Sequence, residues 1–393
     1  MASPAQKIVV LLGILGLSPA AEAAECRMPH APAAFLDLVS QHRMVSAKVG
    51  KPERTKLFNL ITKKNDIPNL LSSCRMTSVE VTGDDPFLHQ PRKVTAVSYA
   101  LKGSVAENLR TIILMPPTGG ENALDDAYAD HLCRQGFRVV MVQHWERDDA
   151  ETELFDMDMH DRGAMRAVAA VQDVVEFINP KKPEQLGILG TSVGAITSSL
   201  VLGVEARVST GVLIVGGGGL PEVIGTSTEK HLAELRAARM KKLGFKSEAE
   251  YVQALREHVK IDPLDLVSFA QKKNILFFMG LNDKTVATAN QKKLYDAFGD
   301  QDLVTHTASE SCIEKTGSGH FCTILQTSYK EKDRISQYFS AKLSAPTAAE
   351  IARGSPAQPE GNKLCLNAKR EILERGDPVA DASEDQVREN SAE

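Results

Sequence analysis

The chain has 393 residues, 42% of them hydrophobic, enough to bury a sizeable core in one large domain or two ordinary ones and to exclude disorder throughout. Its 46 basic and 51 acidic side chains leave a formal charge of -5. That balance offers no broad basic surface to a phosphate backbone, so nucleic acid is set aside as a partner.

Residues 1–23 have the layout of a secretory signal peptide. Lys7 supplies the positive charge, residues 8–17 the apolar run, and Ala21-Glu22-Ala23 a small-x-small processing site. The mature chain is then expected to begin near Ala24 and to be secreted or periplasmic. The apolar run is shorter than the roughly 20 residues a spanning helix needs, and no other stretch supplies one. No stable transmembrane segment is therefore expected in the mature chain; a short uncleaved anchor is the competing reading. Cys26 invites comparison with a lipid attachment site, which Glu25 before it matches poorly.

Six cysteines, Cys26, Cys74, Cys133, Cys312, Cys322 and Cys365, lie beyond the expected cut, in a compartment that permits disulfides. Their pairing stays open. Cys312 and Cys322 are closest in sequence and would staple a short loop, while Cys26 with Cys74 would fasten an N-terminal arm.

Residues 24–94 read as that arm and a first strand. Within them 33–69 mixes polar and apolar residues in helix-like fashion, and 78–82 reads as a strand. From 95 to 344 strands and helices alternate. Strands are expected at 95–101, 111–115, 138–142, 186–189, 211–215, 274–279 and 304–307. Helical patterns fall at 124–134, 162–178, after Ala195, and at 289–298. Strands apolar on both faces and separated by helices predict an α/β fold, a mostly parallel sheet flanked by helices. Residues 220–265 interrupt the alternation with helical patterns at 229–243 and 248–258, which suits a helical cap inserted between late strands. Ala, Pro, Gly and acidic residues dominate 345–393, an expected flexible tail.

The chemistry-bearing motif is Gly190-Thr191-Ser192-Val193-Gly194, between the strand at 186–189 and a small-residue helix. A tight strand-to-helix turn there would lift the Ser192 hydroxyl to the top of the sheet, with glycines where side chains would crowd the neighbouring strand and helix. Downstream, Asp283 follows the strand at 274–279, and His320 occupies a glycine-bearing loop after the strand at 304–307. An imidazole with a pKa near 6.5 accepts and returns a proton around neutrality, and a carboxylate orients it. His306, inside an alternating strand, is the rival base; His160, His231 and His258 lie outside the expected loop.

With Gly280-Leu281-Asn282-Asp283 and Ser318-Gly319-His320-Phe321, the Ser192 motif resembles the α/β-hydrolase family over about residues 95–343. The resemblance implies a Ser192-His320-Asp283 triad acting through an acyl-enzyme, in a serine esterase for a small-molecule or lipid acyl substrate. It also implies oxyanion donors at the Val193 backbone and, just after the strand at 111–115, at Thr118, with Gly119 as the reserve. Many relatives carry His-Gly before that donor, whereas this chain has Pro116-Pro117, neither of which has an amide hydrogen. Peptidase and thioesterase chemistry, and a non-catalytic binding or scaffold protein of the same fold, are the alternatives.

Trp145, after the strand at 138–142, is a candidate substrate contact. The chain lacks a compact His/Cys/Asp/Glu ligand pattern, and its glycines lack both the GxGxxG arrangement and the Lys-Ser/Thr ending of a phosphate-binding loop. Neither a metal nor another cofactor is expected.

Overall fold

The computed structural model describes residues 35, 44–53, 73–85, 91–144, 154–270, 273–299 and 301–345. The expected leader 1–23, Cys26, Trp145, Cys365 and the expected tail from 346 onward lie outside them.

The alternation expected from 95 onward builds one sheet. Its strands are β1 (Met44–Glu53), β2 (Cys74–Asp84), β3 (Pro91–Leu101), β4 (Thr111–Met115), β5 (Arg138–His144), β6 (Leu186–Thr191), β7 (Thr210–Ile214), β8 (Asn274–Gly280) and β9 (Asp302–His306). They lie in the order β1-β2-β3-β5-β4-β6-β7-β8-β9. The first three form an antiparallel wing joined through β3 to β5; the remaining pairs are parallel. Helix α1 (Ala123–Arg134) links β4 to β5, and α2 (Met159–Ile178) links β5 to β6. The chain therefore steps to one side of β4 and then to the other, and the carboxyl ends of β4 and β6 flank the crevice where such sheets bind ligands.

Successive strand residues point to opposite faces, and both faces are covered, which is why the central strands read as unbroken apolar runs. Ile113, Met115, Val140 and Ile188 pack beneath α2 and α3 (Val193–Val204), whereas Ile112, Leu114, Val139 and Leu189 pack against α1 and α11 (Lys332–Lys342). Between β7 and β8 the cap contributes α4 (Leu220–Thr226), α5 (Lys230–Leu243), α6 (Glu248–His258) and α7 (Pro263–Leu266). Its own apolar cluster joins Leu220, Val223, Tyr251 and Leu255 to Ile196 of α3 and Val286 of the body. The last helices of the body are α8 (Thr288–Phe298), α9 (Glu310–Thr316) and α10 (Gly319–Lys330). Among the described residues no helix is long and apolar enough to cross a membrane.

Two expectations for the N-terminal region are corrected. The helix-like pattern at 33–69 contains strand β1 instead, paired antiparallel with β2 and shifted in register between Val49 and Pro52. Val45 and Val49 are exposed there, so this edge strand carries no clean alternation; backbone pairing makes it, and backbone hydrogen bonds leave no mark on residue type. Cys74 is bonded to Cys133, with Cα atoms 6.2 Å apart, and not to Cys26. The β2-β3-β5 pairing carries the end of α1 to the start of β2, a proximity that sequence spacing does not reveal. The strand expected at 95–101 is present as β3 and starts at Pro91.

Buried charge fastens α2 beneath the antiparallel wing. Arg92 of β3 donates to Asp173 of α2 at 2.8 Å with both side chains fully buried, and Arg166 of α2 donates to Asp85 at 3.0 Å. Arg92 also reaches the Arg166 carbonyl at 3.4 Å. Removing one member of such a pair strips the other of its principal compensation in a medium of low dielectric. Asp173→Ala is expected to lower stability by about 3 kcal/mol, read as a drop in the urea midpoint with little change in slope.

Candidate active site

The turn between β6 and α3 puts Ser192 at φ 57° and ψ -120°, a left-handed conformation that a side-chain-bearing residue rarely adopts. The surroundings hold it there. Ser192 N–H donates to the Ile214 carbonyl of neighbouring β7 at 2.8 Å, and its own carbonyl accepts from Ala195 and Ile196 as α3 begins.

The two motif glycines have separate steric reasons. A Cβ on Gly190 would lie 2.3 Å from the Gly194 carbonyl oxygen, and one on Gly194 would lie 2.1 Å from the Met115 carbonyl oxygen. The first keeps the turn tight; the second lets the start of α3 abut the end of β4.

Asp283 and His320 converge on this serine from the carboxyl-end side of the sheet. His320 sits in the first turn of α10, whose N-cap Ser318 accepts from the Phe321 N–H. Its Nδ1 is 2.6 Å from Asp283 Oδ2, and its Nε2 is 2.9 Å from Ser192 Oγ. An ionised carboxylate only accepts, so Nδ1 donates and Nε2 is left to accept the serine proton.

Asp283 Oδ1 accepts from the Thr285 and Val286 backbones at 2.8 and 3.1 Å. Oδ2 accepts from Gln291 Nε2 at 2.8 Å as well as from His320. The carboxylate is wholly buried yet richly hydrogen-bonded, which keeps it oriented and able to stabilise an imidazolium.

Gln291 was not singled out by the sequence. On α8 and fully buried, it accepts from the Gly280 N–H at 2.9 Å while its amide donates to Asp283 and to the Val286 carbonyl. Its position inside the helix expected at 289–298 was the only signal, and a polar residue in a helix does not declare its partner.

The rival His306 lies apart. Its ring stacks on Phe278 at 6.1 Å between centroids and its Nδ1 accepts from Gln326 at 3.1 Å, a packing role in β9.

Thr118 and Val193 line the same cavity as Ser192. Val193 is the first residue of α3, so its N–H has no acceptor within the helix, and the positive end of the helix lies behind it. In the loop after β4, Gly120 N–H donates to the Pro117 carbonyl at 3.1 Å, and Gly119 and Gly120 have φ of 94° and 86°. Gly120 is thereby engaged in the turn, which leaves the Thr118 and Gly119 amides as the candidates on this side.

The cavity holds about 490 Å³. Ile196 and Leu200 of α3 and Leu220, Val223 and Ile224 of the cap supply an apolar wall, and His160, Glu229 and His231 bring polar groups to it. Among the described residues there is no group of three or more His, Cys, Asp or Glu side chains arranged to hold a metal ion.

The expected Cys312–Cys322 bond is present, with Cα atoms 6.0 Å apart. It joins α9 to α10 and encloses His320 in the covalent loop.

No family model matches the chain, and no curated protein does. Among solved structures it is similar to an acetyl xylan esterase from Paenibacillus, with TM-score 0.54 and 10% identity over 83% of this chain and 100% of that one. It is also similar to acetyl xylan esterase 1 from Thermoanaerobacterium (TM-score 0.48, 12% identity, 77% and 98% covered). A third is an esterase from Pyrococcus furiosus (0.47, 16%, 72% and 96%). At these identities the likeness is one of fold.

Two outcomes follow from the supports around the triad. Gln291→Leu removes a donor from Asp283 and an acceptor from Gly280, and is expected to lower kcat about tenfold with KM nearly unchanged, measured by steady-state ester hydrolysis. Replacing Cys312 and Cys322 together by Ala is expected to lower stability by roughly 2–3 kcal/mol, the chain-entropy value for so short a loop, and to make kcat fall on heating before the fold melts.

Proposed function

We propose that this chain, a serine hydrolase with the α/β-hydrolase fold, is an esterase that cleaves small-molecule carboxylic esters through an acyl-enzyme. The continuous hydrogen-bonded line Asp283–His320–Ser192, ending on a serine held at positive φ, carries this reading.

Ser192 Oγ attacks the ester carbonyl as His320 Nε2 takes its proton, and the carbonyl oxygen becomes an oxyanion. The Val193 and Thr118 N–H groups are our assigned donors to it. Their place in the cavity that Ser192 lines supports this, as does the engagement of Gly120 in its turn. Collapse of the tetrahedral intermediate breaks the bond to the alcohol oxygen, which leaves with the proton from His320. Water then enters, gives its proton to His320, attacks the acyl carbonyl and releases the carboxylic acid as the proton returns to Ser192.

The sequence of 1–23, with its basic, apolar and small-residue blocks, and the two disulfides among the described residues support export to a secreted or periplasmic location.

The decisive experiment is labelling by a fluorophosphonate probe beside a panel of acyl esters. Wild type is expected to label and to turn over esters, whereas Ser192→Ala takes no label and loses on the order of 10³-fold or more in kcat. Turnover kept by the alanine variant would remove Ser192 as nucleophile, and a wild type inert to both probe and panel would favour a non-catalytic binding protein.

A further inference from the structure

One polar group in the cavity lies outside the triad and has its hydrogen-bonding state set by its neighbours. His160, in the first turn of α2, lines the cavity, and its Nε2 is 3.2 Å from Nη1 of Arg239. A guanidinium has donors only, so Nε2 accepts and the ring proton is on Nδ1. Arg239 belongs to α5 of the cap and is fully buried. It also donates to the Tyr251 hydroxyl at 3.0 Å and the Asp156 carbonyl at 2.9 Å. Packing, not solvent, therefore selects the tautomer.

Among the described residues Nδ1 has no hydrogen-bond partner, and His160 makes no hydrogen bond to Ser192 or His320. Burial, with the charges of Arg239 and His231 beside it, pushes the imidazole pKa down to about 3. The ring is therefore neutral around neutral pH. With Nε2 engaged by Arg239, the ring proton is the polar group His160 has left for the cavity it lines, and Ile196, Leu200, Val223 and Ile224 line that cavity too.

We infer that His160 is a specificity-determining residue whose Nδ1–H binds an acceptor oxygen of the substrate away from the scissile carbonyl. The substrate class is then a neutral, partly apolar ester that also carries a ketone, ether or hydroxyl oxygen. This deepens the esterase reading and rests on it. A donor taken out of water must find an acceptor in the complex, so a purely hydrocarbon ester forfeits that hydrogen bond. The charged side chains among the cavity's lining residues, Arg166 and Glu229, are of opposite sign, so the lining favours neither an anionic nor a cationic group.

The test uses pairs of esters of equal length in which one methylene is replaced by a carbonyl or ether oxygen, at successive positions of the acyl chain and of the alcohol. The quantity read is the ratio of kcat/KM within each pair, for each enzyme separately. Wild type is expected to favour the oxygen-bearing member at one or more positions by about tenfold. His160→Leu brings that ratio to near unity, and His160→Gln, which can accept from Arg239 and donate to the cavity, restores it.

A ratio near unity in wild type at every position, or a preference that survives His160→Leu, overturns the inference and leaves the esterase reading standing. Absence of turnover for every ester overturns the esterase reading and the inference with it. If circular dichroism shows that His160→Leu does not fold, the Ser192→Ala protein labelled with 15N-histidine is the second measurement. His160 is expected to keep its proton on Nδ1 from about pH 5 to about pH 8. Its Nδ1 resonance should shift with an oxygen-bearing ester and not with the hydrocarbon twin. A proton on Nε2, or an Nδ1 that responds to neither ester, overturns the inference.

Discussion

The carbonyl oxygen of Met115, at the end of β4, lies where a Cβ on Gly194 would stand only 2.1 Å away. That close approach is possible because position 194 has no side chain, and it brings the first turn of α3 against the end of the adjacent strand. From it follow the sharp turn at Ser192, the approach of the loop after β4 to the serine, and a cavity shared by Thr118, Val193 and the nucleophile. The strained φ of Ser192 persists because β6, β7 and α3 each fix one side of the turn.

The triad is assembled from three places in the chain by one property of a parallel sheet, which puts the carboxyl ends of its strands along one edge. Ser192 follows β6, Asp283 follows β8, and His320 follows β9 after the short helix α9. Each is secured by something other than its triad partner. The backbone turn holds Ser192, two amides and Gln291 hold Asp283, and the N-terminus of α10 with the Cys312–Cys322 bond holds His320. This division of labour leaves the hydrogen-bonded line free to move a proton without carrying the fold.

The cap shapes the other half of the cavity. Its apolar cluster reaches Ile196 on α3 and Val286 in the loop after Asp283, so the cap packs on elements that carry the chemistry. Arg239 takes the same route with polar contacts, joining α5 to α6 through Tyr251 and to the body through Asp156 and His160. His160 belongs to both sets of contacts, lining the cavity and accepting one of the hydrogen bonds that hold the cap.

Local patterns in the sequence determined the strand and helix alternation from 95 onward, the helical insertion at 220–265 and the Gly190 to Gly194 turn, because periodicity and steric need act over a few neighbouring residues. The order of Ser192, Asp283 and His320 along the chain was equally legible, since each follows a recognisable strand. Tertiary structure alone decided the rest. Edge strand β1 pairs through backbone groups that carry no residue signature, and Cys74 meets Cys133 only once three strands are aligned. Gln291 finds Asp283, and Arg239 fixes the proton of His160, through contacts between segments that no local pattern relates. A sequence records which side chains can accept or donate, but the partner that sets the direction of each hydrogen bond is chosen where the chain folds back on itself.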